Sequence, residues 1–375
     1  MPHAHLPLIQ LILAGGPLAP RRALLDAHAT PAQALAAGEP HWRRAGLNAE
    51  QIARLHAARA GQEAEIALRW LAEPGHVVLG WQDAAYPPLL RHSRSPPLAL
   101  FVEGDARALR HLHVAMVGSR APSPAGRENA AWFATAFSRA GVGVISGLAA
   151  GIDAAAHEAA LEAGGLTLAV VGTGPDLAYP ARHRALRDRI VGSGGAIVSE
   201  YLPGTAARPA HFPSRNRIIA GLSVATLVVE AAERSGALIT ARQAAEAGRD
   251  VFALPGSIHN PMARGCHRLI RDGAGLADDP QRLLEELASA LFNMSATSAG
   301  PLHNAEPGDP RRPPPNLAVM DAHYHRLWQA LAHDPTGMDQ LAERTGLTAA
   351  ELSSMLLLME LEGQVAVEHG RYWRK

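Results

Sequence analysis

The sequence predicts an α/β protein: a parallel β-sheet covered by helices, with a helical region before it and a winged helix after it. Three observations support this prediction. Strand-like and helix-like segments alternate between residue 113 and about residue 290. Loops containing glycine follow most of these strands, and a proline-rich linker separates them from a C-terminal pattern of helices and a hairpin. Alternation of this kind is typical of a parallel sheet with helices on both faces.

The N-terminal region is predicted to be helical. Leucine, alanine and isoleucine recur at helical spacing over residues 5–70, with breaks at residues 15–17 and 38–40, so two or three helix pairs are expected. After Gly75 the pattern changes. A short apolar run covers residues 76–80, and a proline-led extended strand is predicted over residues 96–104.

The alternating region contains six predicted strands. They cover residues 113–117, 142–146, 166–172, 196–199, 225–230 and 250–254. Glycine, serine and charged residues follow these strands, where the carboxyl ends of parallel strands would meet. Because open parallel sheets bind ligands at that edge, we expect a ligand site there.

Residues 142–161 show how one predicted strand leads into a helix. The apolar run from Val142 to Ile145 predicts a buried strand, Gly147 and Gly151 open a loop, and Asp153 stands in the first turn of an alanine-rich helix. Free N–H groups at such a helix start form an anion site. A tight strand–helix connection without ligand explains this unit equally well, because its glycine spacing is not the dinucleotide fingerprint.

A second informative segment covers residues 211–223. Arg215 and Arg217 flank Asn216 at the start of a helix that Phe212 and Pro213 lead into. A guanidinium group can bind two phosphate oxygens at once, and the N-terminus of a helix favours anions. The alternative is a surface salt-bridge cluster.

The C-terminal region follows a linker at residues 293–316, which contains three consecutive prolines and shows no periodicity. Its order of helices and hairpin predicts a winged helix, a fold that binds DNA in some proteins and protein in others. The helix predicted from Ala349 to Glu362 carries Glu351 and Glu360 but no lysine or arginine, which is unsuited to the major groove. The predicted division is therefore a helical domain at 1–74, a sheet domain at 75–292, the linker, and a winged-helix-like domain at 317–375.

Composition excludes several classes of protein. The formal net charge is zero, which argues against a globally basic nucleic-acid binder but leaves a local patch open. Cys266 is the single cysteine, so a disulfide framework or cysteine-rich zinc site is excluded and a cytoplasmic location is expected. Lys375 is the only lysine, which excludes a Walker A lysine. The sequence shows neither an apolar run of about 18 residues that would span a membrane nor a convincing signal peptide.

A series of motifs occurs in fixed order over about residues 80–290. They are Gly118-Ser119-Arg120, residues 146–153 with His157, Gly172-Thr173-Gly174 leading to Tyr179-Pro180, residues 199–203, residues 212–220, Val229-Glu230-Ala231 with residues 235–241, and Pro255-Gly256-Ser257. In this order they resemble the motifs of the DprA/Smf family (DNA processing protein A). A helical N-terminal domain of the SAM or helix-hairpin-helix kind and a C-terminal winged helix are common in that family.

The resemblance implies a Rossmann-like domain that binds single-stranded DNA, protects incoming DNA in natural transformation and helps to load the RecA recombinase. It also implies a two-fold homodimer, without a catalytic residue, metal or cofactor. The DNA-binding residues expected from the motifs are Gly118, Ser119, Arg120, Gly147, Gly151, Asp153, His183, Arg184, Arg215, Asn216, Arg217, Ser235, Gly236 and Thr240.

Within this set we expect a phosphate clamp of Arg120, Arg215 and Arg217, with backbone N–H groups of Gly118, Ser119, Gly147 and Gly236 as neutral partners. Residues two apart on a helix point about 200° apart, so Arg215 is the preferred contact and Arg217 the weaker candidate. Two positions depart from the family pattern: His267 and His183 stand where asparagine is usual.

Two other classes remain as alternatives. One is a nucleotide-binding enzyme related to lysine-decarboxylase-like nucleoside monophosphate hydrolases. The Pro-Gly-Gly-x-Gly-Thr loop of those enzymes is missing here, and the candidate acids Asp153, Glu200 and Glu230 have no recognisable nucleophile or metal partner. The other is a scaffold whose glycine loops only turn the chain. A dehydrogenase is disfavoured because the dinucleotide fingerprint is absent.

Overall fold

The computed structural model describes residues 2–57, 61–288, 322–331, 336–361, 364–368 and 371–374. The chain divides into two compact units, which are described separately below. The first consists of Met1–Ser138 and Val142–Pro280, and the second of Arg139–Gly141 and Gln281–Lys375. The predicted linker at residues 293–316 lies outside the described residues.

Among the described residues of the first unit, nine strands form one sheet. They are β1 (His76–Gly80), β2 (Ala99–Gly104), β3 (His113–Val117), β4 (Gly143–Ser146), β5 (Thr167–Val170), β6 (Ala196–Ser199), β7 (Ala225–Val228), β8 (Asp250–Ala253) and β9 (Gly275–Leu276). Their order is β1-β2-β6-β5-β4-β3-β7-β8-β9.

The strands from β3 to β9 are parallel to one another, whereas β1 and β2 add an antiparallel pair at one edge. The central strand β3 is followed by β4, β5 and β6 on one side, and the chain then returns to β7, β8 and β9 on the other. This confirms the predicted parallel sheet. The reversal places a topological switch point between β3 and β7, the position where open α/β sheets bind ligands.

The described part of the N-terminal region contains six α-helices: α1 (Leu6–Leu13), α2 (Leu18–Asp26), α3 (Pro31–Ala36), α4 (Glu39–Arg44), α5 (Ala49–Ala57) and α6 (Gln62–Leu71). They confirm the helical prediction. Leu11, Leu24 and Ile52 pack around the buried Trp42, whose indole Nε1–H donates to the Ala34 carbonyl at 2.9 Å. The aromatic side chain therefore supplies both apolar area and a satisfied donor.

Helices on both faces of the sheet follow in chain order: α7 (Pro88–Arg91), α8 (Pro124–Arg139), α9 (Ile152–Glu162), α10 (Arg184–Gly192), α11 (His211–Leu222), α12 (Ala237–Glu246) and α13 (Arg264–Arg271). All residues of β3 to β7 are buried, as expected when helices cover both faces. The main core packs Ile145, Val170 and Val198 of the sheet against Ile218 and Leu222 of α11.

The second unit has the arrangement predicted for a winged helix. Its described elements are α14 (Ala322–Ala330), β10 (Thr336–Gly337), α15 (Met338–Thr345), α16 (Ala349–Leu361), β11 (Val365–Glu368) and β12 (Arg371–Arg374), with the strands in the order β10-β12-β11. Leu327, Leu341, Leu352 and Met359 form its apolar core. In the part of the chain that the structure describes, no helix is both long and apolar enough to cross a membrane.

Two histidines are buried in the core of the first unit. The Nδ1 atom of His113 lies 2.7 Å from the His111 carbonyl, and that of His157 lies 2.7 Å from the Thr167 hydroxyl. Burial lowers the pKa of His113 to about 4. Burial also lowers the pKa of His157 to about 3, so both rings are neutral at physiological pH.

These histidines make the free energy of unfolding depend on pH. The folded protein binds fewer protons than the unfolded chain between the lowered pKa of His157, about 3, and its ordinary value of 6.5. Acidification through this window should therefore destabilise the fold, by up to about 1.4 kcal/mol per pH unit for each histidine. Urea unfolding at several pH values should show a smaller pH dependence for His157→Asn than for the wild type. The exposed His92, changed to Asn, is the control; equal pH dependence in wild type and His157→Asn would contradict the argument.

Candidate nucleic-acid interface

A pocket of about 580 Å³ opens at the carboxyl edge of the sheet, at the β3–β7 switch point. Its walls come from the end of β3, from the loops after β3, β4, β5 and β7, and from helices α9, α11 and α12. The lining residues are Val117, Gly118, Arg120, Ala149, Asp153, Tyr179, Pro209, Phe212, Pro213, Arg215, Asn216, Ile219, Ser235, Gly236, Ala237, Ile239 and Thr240. Pockets of this size bind small molecules or single groups of a larger ligand.

The structure brings together eight of the fourteen expected site residues at this pocket: Gly118, Arg120, Asp153, Arg215, Asn216, Ser235, Gly236 and Thr240. Six do not line it: Ser119, Gly147, Gly151, His183, Arg184 and Arg217.

Arg120 and Arg215 are the two cationic residues of the lining. The exposed Arg120 guanidinium lies 5.7 Å from the centre of the Phe212 ring and makes no hydrogen bond or ion pair to the described residues. Arg215 is only 4% exposed, and its guanidinium donates to the Val170 carbonyl. Burial lowers the pKa of Arg215 to about 10, so it still carries its charge at neutral pH. Arg120 is thus the more accessible cation, contrary to the expected preference for Arg215.

Arg217 does not take the place expected for it in the clamp with Arg120 and Arg215. Arg215 and Arg217 both lie within α11, so their side chains leave the helix about 200° apart. Arg215 lines the pocket, whereas Arg217 forms an ion pair with Glu200 and donates to the Ser95 carbonyl. The Arg217 charge is therefore already paired, away from the pocket lining.

The loop between β4 and α9 is closed on itself. The Asp153 carboxylate accepts hydrogen bonds from the amides of Gly147, at 3.1 Å, and Ala149, at 3.3 Å. Burial raises the pKa of Asp153, and the nearby Arg215 charge opposes that rise. Leu148 has a φ of 57°, and an added Cβ at Gly151 would lie 2.2 Å from the Ser119 carbonyl oxygen, so this turn has little freedom.

These bonds correct the expected set of neutral donors. The Gly147 amide is taken by Asp153, and the Ser119 amide donates to the Glu230 carbonyl at 2.7 Å. The start of α12 is different. Gly236 is exposed, lines the pocket, and its amide donates to no acceptor among the described residues. Within α12 the Ala237 and Leu238 amides already donate to Ser235, so the Gly236 amide is the free donor at the start of this helix. At the start of α9 the Ile152 amide donates to the Ser119 carbonyl.

Aromatic and apolar side chains form the rest of the pocket. The rings of Tyr179 and Phe212 lie 5.2 Å apart, and Tyr179 is 49% exposed. Ile239 of α12 is also exposed on the lining. Tyr179 and Phe212 belong to the sequence motifs, but neither was among the residues expected to bind DNA. The available signal was that each ring stands directly before a proline, Tyr179 in the loop after β5 and Phe212 at the start of α11.

His183 and His267 both have defined partners. The His183 Nδ1 atom lies 2.8 Å from the Leu148 carbonyl, so this ring supports the β4–α9 loop. The His267 Nε2 atom lies 2.9 Å from the Gly256 carbonyl and joins α13 to the loop after β8. Arg184 is exposed beside His183. The histidines thus provide local contacts to the backbone, and Arg184 stays a prediction outside the pocket.

The three candidate acids are engaged in hydrogen bonds or an ion pair. Glu230 accepts from the Ser123 amide and hydroxyl, both at 2.8 Å, and from the Asn260 amide group at 3.0 Å. Glu200 pairs with Arg217, and Asp153 with the backbone of its own loop. Within the described ranges, histidine, cysteine and carboxylate side chains form no cluster of three that could hold a metal ion.

Comparison with known proteins gives consistent matches. Residues 77–288 match the family described as DNA recombination-mediator protein A, and residues 309–371 match the DprA winged helix domain. The Smf protein of Escherichia coli (strain K12) is 40% identical over 310 residues, which cover 83% of this chain and 80% of that protein.

Two solved structures are similar to this chain. The X-ray structure of DNA processing protein A from Streptococcus pneumoniae has a TM-score of 0.65 and 35% identity, and the match covers 74% of this chain and 96% of that one. A structure concerning the single-stranded DNA binding mode of DNA processing protein A from Helicobacter pylori has a TM-score of 0.52 and 26% identity. That match covers 57% of this chain and 96% of the other.

Proposed function

The chain belongs to the DprA/Smf family of DNA recombination-mediator proteins, and we propose that it binds single-stranded DNA in the pocket at the β3–β7 switch point. The observation that supports this most directly is the composition of the pocket. Arg120 supplies an exposed positive charge, the α12 start supplies a free amide, and Tyr179 and Phe212 supply ring faces. Positive charge and a free amide bind phosphates, and ring faces stack on bases, so this combination binds a single strand of any sequence.

The proposed role is to protect incoming DNA during natural transformation and to pass it to RecA. The similar DNA processing protein A from Helicobacter pylori binds single-stranded DNA, which supports the ligand class. Because all three candidate acids have structural partners, we propose no catalytic role. Retention of a fluorescent oligo-dT without nucleotide turnover tests this choice against the hydrolase alternative. Turnover of a nucleoside monophosphate would favour the enzyme.

Arg120→Ala should weaken oligo-dT binding and reduce the log–log salt slope by about 0.7, the value for one phosphate contact on a single strand. The matched control is Arg107→Ala. Arg107 is 88% exposed and pairs with Asp105 after β2, at the opposite edge of the sheet. Titrations at several salt concentrations measure both quantities. Arg120→Ala with wild-type affinity and slope would remove this residue from the interface.

Arg215 is proposed as a second source of positive charge, in the lining of the pocket. Arg215→Ala should weaken binding too, and because the buried Arg215 charge lies near Asp153, the variant should also be less stable than Arg120→Ala. Thermal unfolding of both variants separates these effects. A folded Arg215→Ala protein that keeps its affinity and salt slope would contradict the proposal.

The winged helix is proposed to be dispensable for binding single strands. Helix α16 presents Glu351 and no lysine or arginine, so it offers no positive charge to phosphates. Truncation before Asn293 should therefore change the affinity for oligo-dT by less than tenfold, about 1.4 kcal/mol. A larger loss, measured by the same titration, would give this unit a part in the interface.

The proposed homodimer has a candidate surface at the β8–β9 end of the sheet. Leu276 on the edge strand β9 is 51% exposed, and Ile258 in the loop after β8 is 75% exposed. Exposed apolar groups at an unpaired sheet edge favour association. Light scattering should show a dimer at micromolar concentration and a monomer for Leu276→Arg. A monomeric wild-type protein would contradict the proposal, and Leu358→Arg on α16 is the control.

The proposed transfer to RecA is tested on coated single strands. The protein should bind RecA in pull-downs and speed RecA filament formation on DNA that carries a single-strand-binding protein. The Arg120→Ala variant should retain RecA binding but lose the acceleration, because it would no longer hold the strand. Absence of both effects in the wild type would reduce the proposed function to DNA binding.

A further inference from the structure

The first turn of α11 contacts residues 200–205, which follow β6 and are called here the β6–α11 segment. The Tyr201 ring stacks on His211, with 3.9 Å between ring centres and 14° between planes. The His211 Nδ1 atom in turn lies 3.1 Å from the Gly172 carbonyl. Because Phe212 follows His211 directly, this stack fixes the turn that carries the aromatic ring of the pocket.

A second attachment fixes the rotation of α11. Glu200 pairs with Arg217, and both side chains are largely buried. The other Glu200 carboxylate oxygen, Oε1, is buried and has no hydrogen-bond partner in the described chain. Breaking the Glu200–Arg217 ion pair is costly, because it is the only ion pair that Arg217 forms among the described residues. With Arg217 held on that side, Arg215 is directed to the pocket on the opposite side of the helix.

The other side of the β6–α11 segment rests on the N-terminal helices. Leu202 packs against a cluster that contains Leu8 and Trp70 and against a second one that contains Ile9 and Ala67. At Gly204, an added Cβ would lie 3.6 Å from the side chain of Ile66, in ordinary contact with α6. The segment therefore contacts the N-terminal helices on one side. On the other side it contacts the first turn of α11, which we propose binds DNA.

We propose that the β6–α11 segment positions the first turn of α11 on the N-terminal helices, which makes Leu202 and Tyr201 positioning residues for the binding of single-stranded DNA. The inference rests on the proposed function, since it concerns how the same pocket is held. Neither residue lines the pocket, so their effect is transmitted through α11. The N-terminal helices then tune affinity without contacting the ligand.

The test uses the full-length protein and compares four substitutions in the segment. Leu202→Ala removes the contact to the N-terminal helices, and Leu202→Met keeps most of its volume. Tyr201→Leu removes the ring stack, and Tyr201→Phe keeps it. The matched control is Leu24→Ala, a buried leucine of the Trp42 cluster.

Leu202→Ala and Tyr201→Leu should weaken oligo-dT binding by about threefold to tenfold. Their salt slopes should stay at the wild-type value, because no phosphate contact is removed. Leu202→Met and Tyr201→Phe should restore wild-type affinity. Leu24→Ala should lower the unfolding temperature as much as Leu202→Ala does, while its affinity stays unchanged.

Three outcomes would overturn the inference. Wild-type affinity in Leu202→Ala and Tyr201→Leu would leave the proposed function standing and remove the positioning role. Equal loss of affinity in Leu24→Ala would attribute the effect to general destabilisation. A wild-type protein that does not retain oligo-dT would overturn the proposed function, and the inference with it.

Discussion

The structure around the pocket depends on one buried carboxylate, that of Glu230 at the end of the central strands. Its two oxygens accept hydrogen bonds from Ser123 and Asn260, and its backbone carbonyl accepts from the Ser119 amide. These bonds join the loops after β3, β7 and β8. A buried carboxylate with several donors is a strong constraint, because removal of a donor leaves a buried acceptor without its hydrogen bond.

That constraint determines which backbone groups remain available. The β3 loop is fixed by Glu230, and the Ser119 carbonyl accepts from the Ile152 amide at 3.0 Å, which fixes the start of α9 beside it. Asp153 then uses the amides of its own loop. The loops after β3 and β4 thus form rigid walls, whereas Arg120 and the α12 start keep groups that a ligand can use.

Much of the fold could be predicted from the sequence. The apolar β-branched runs gave strands that agree with β3 to β8 to within about two residues, because a strand buried on both faces must be continuously apolar. The helical spacing of apolar residues predicted the N-terminal helices for a different reason, since each helix buries one face along its length. The antiparallel attachment of β2 to β6 was not predicted, since strand direction depends on where distant strands pair and leaves no trace in local periodicity.

The sequence by itself determined which loops carry arginine, glycine and aromatic residues, and that loops following parallel strands lie at one edge of the sheet. Only the tertiary structure decided what each side chain does there. Arg215 and Arg217 are indistinguishable as a local motif, yet one enters the pocket and the other pairs with Glu200. The Gly147 amide likewise donates to the Asp153 carboxylate, whereas the Gly236 amide stays available to a ligand. Local sequence records burial and turn geometry, whereas charge pairing and amide availability depend on residues that folding brings together.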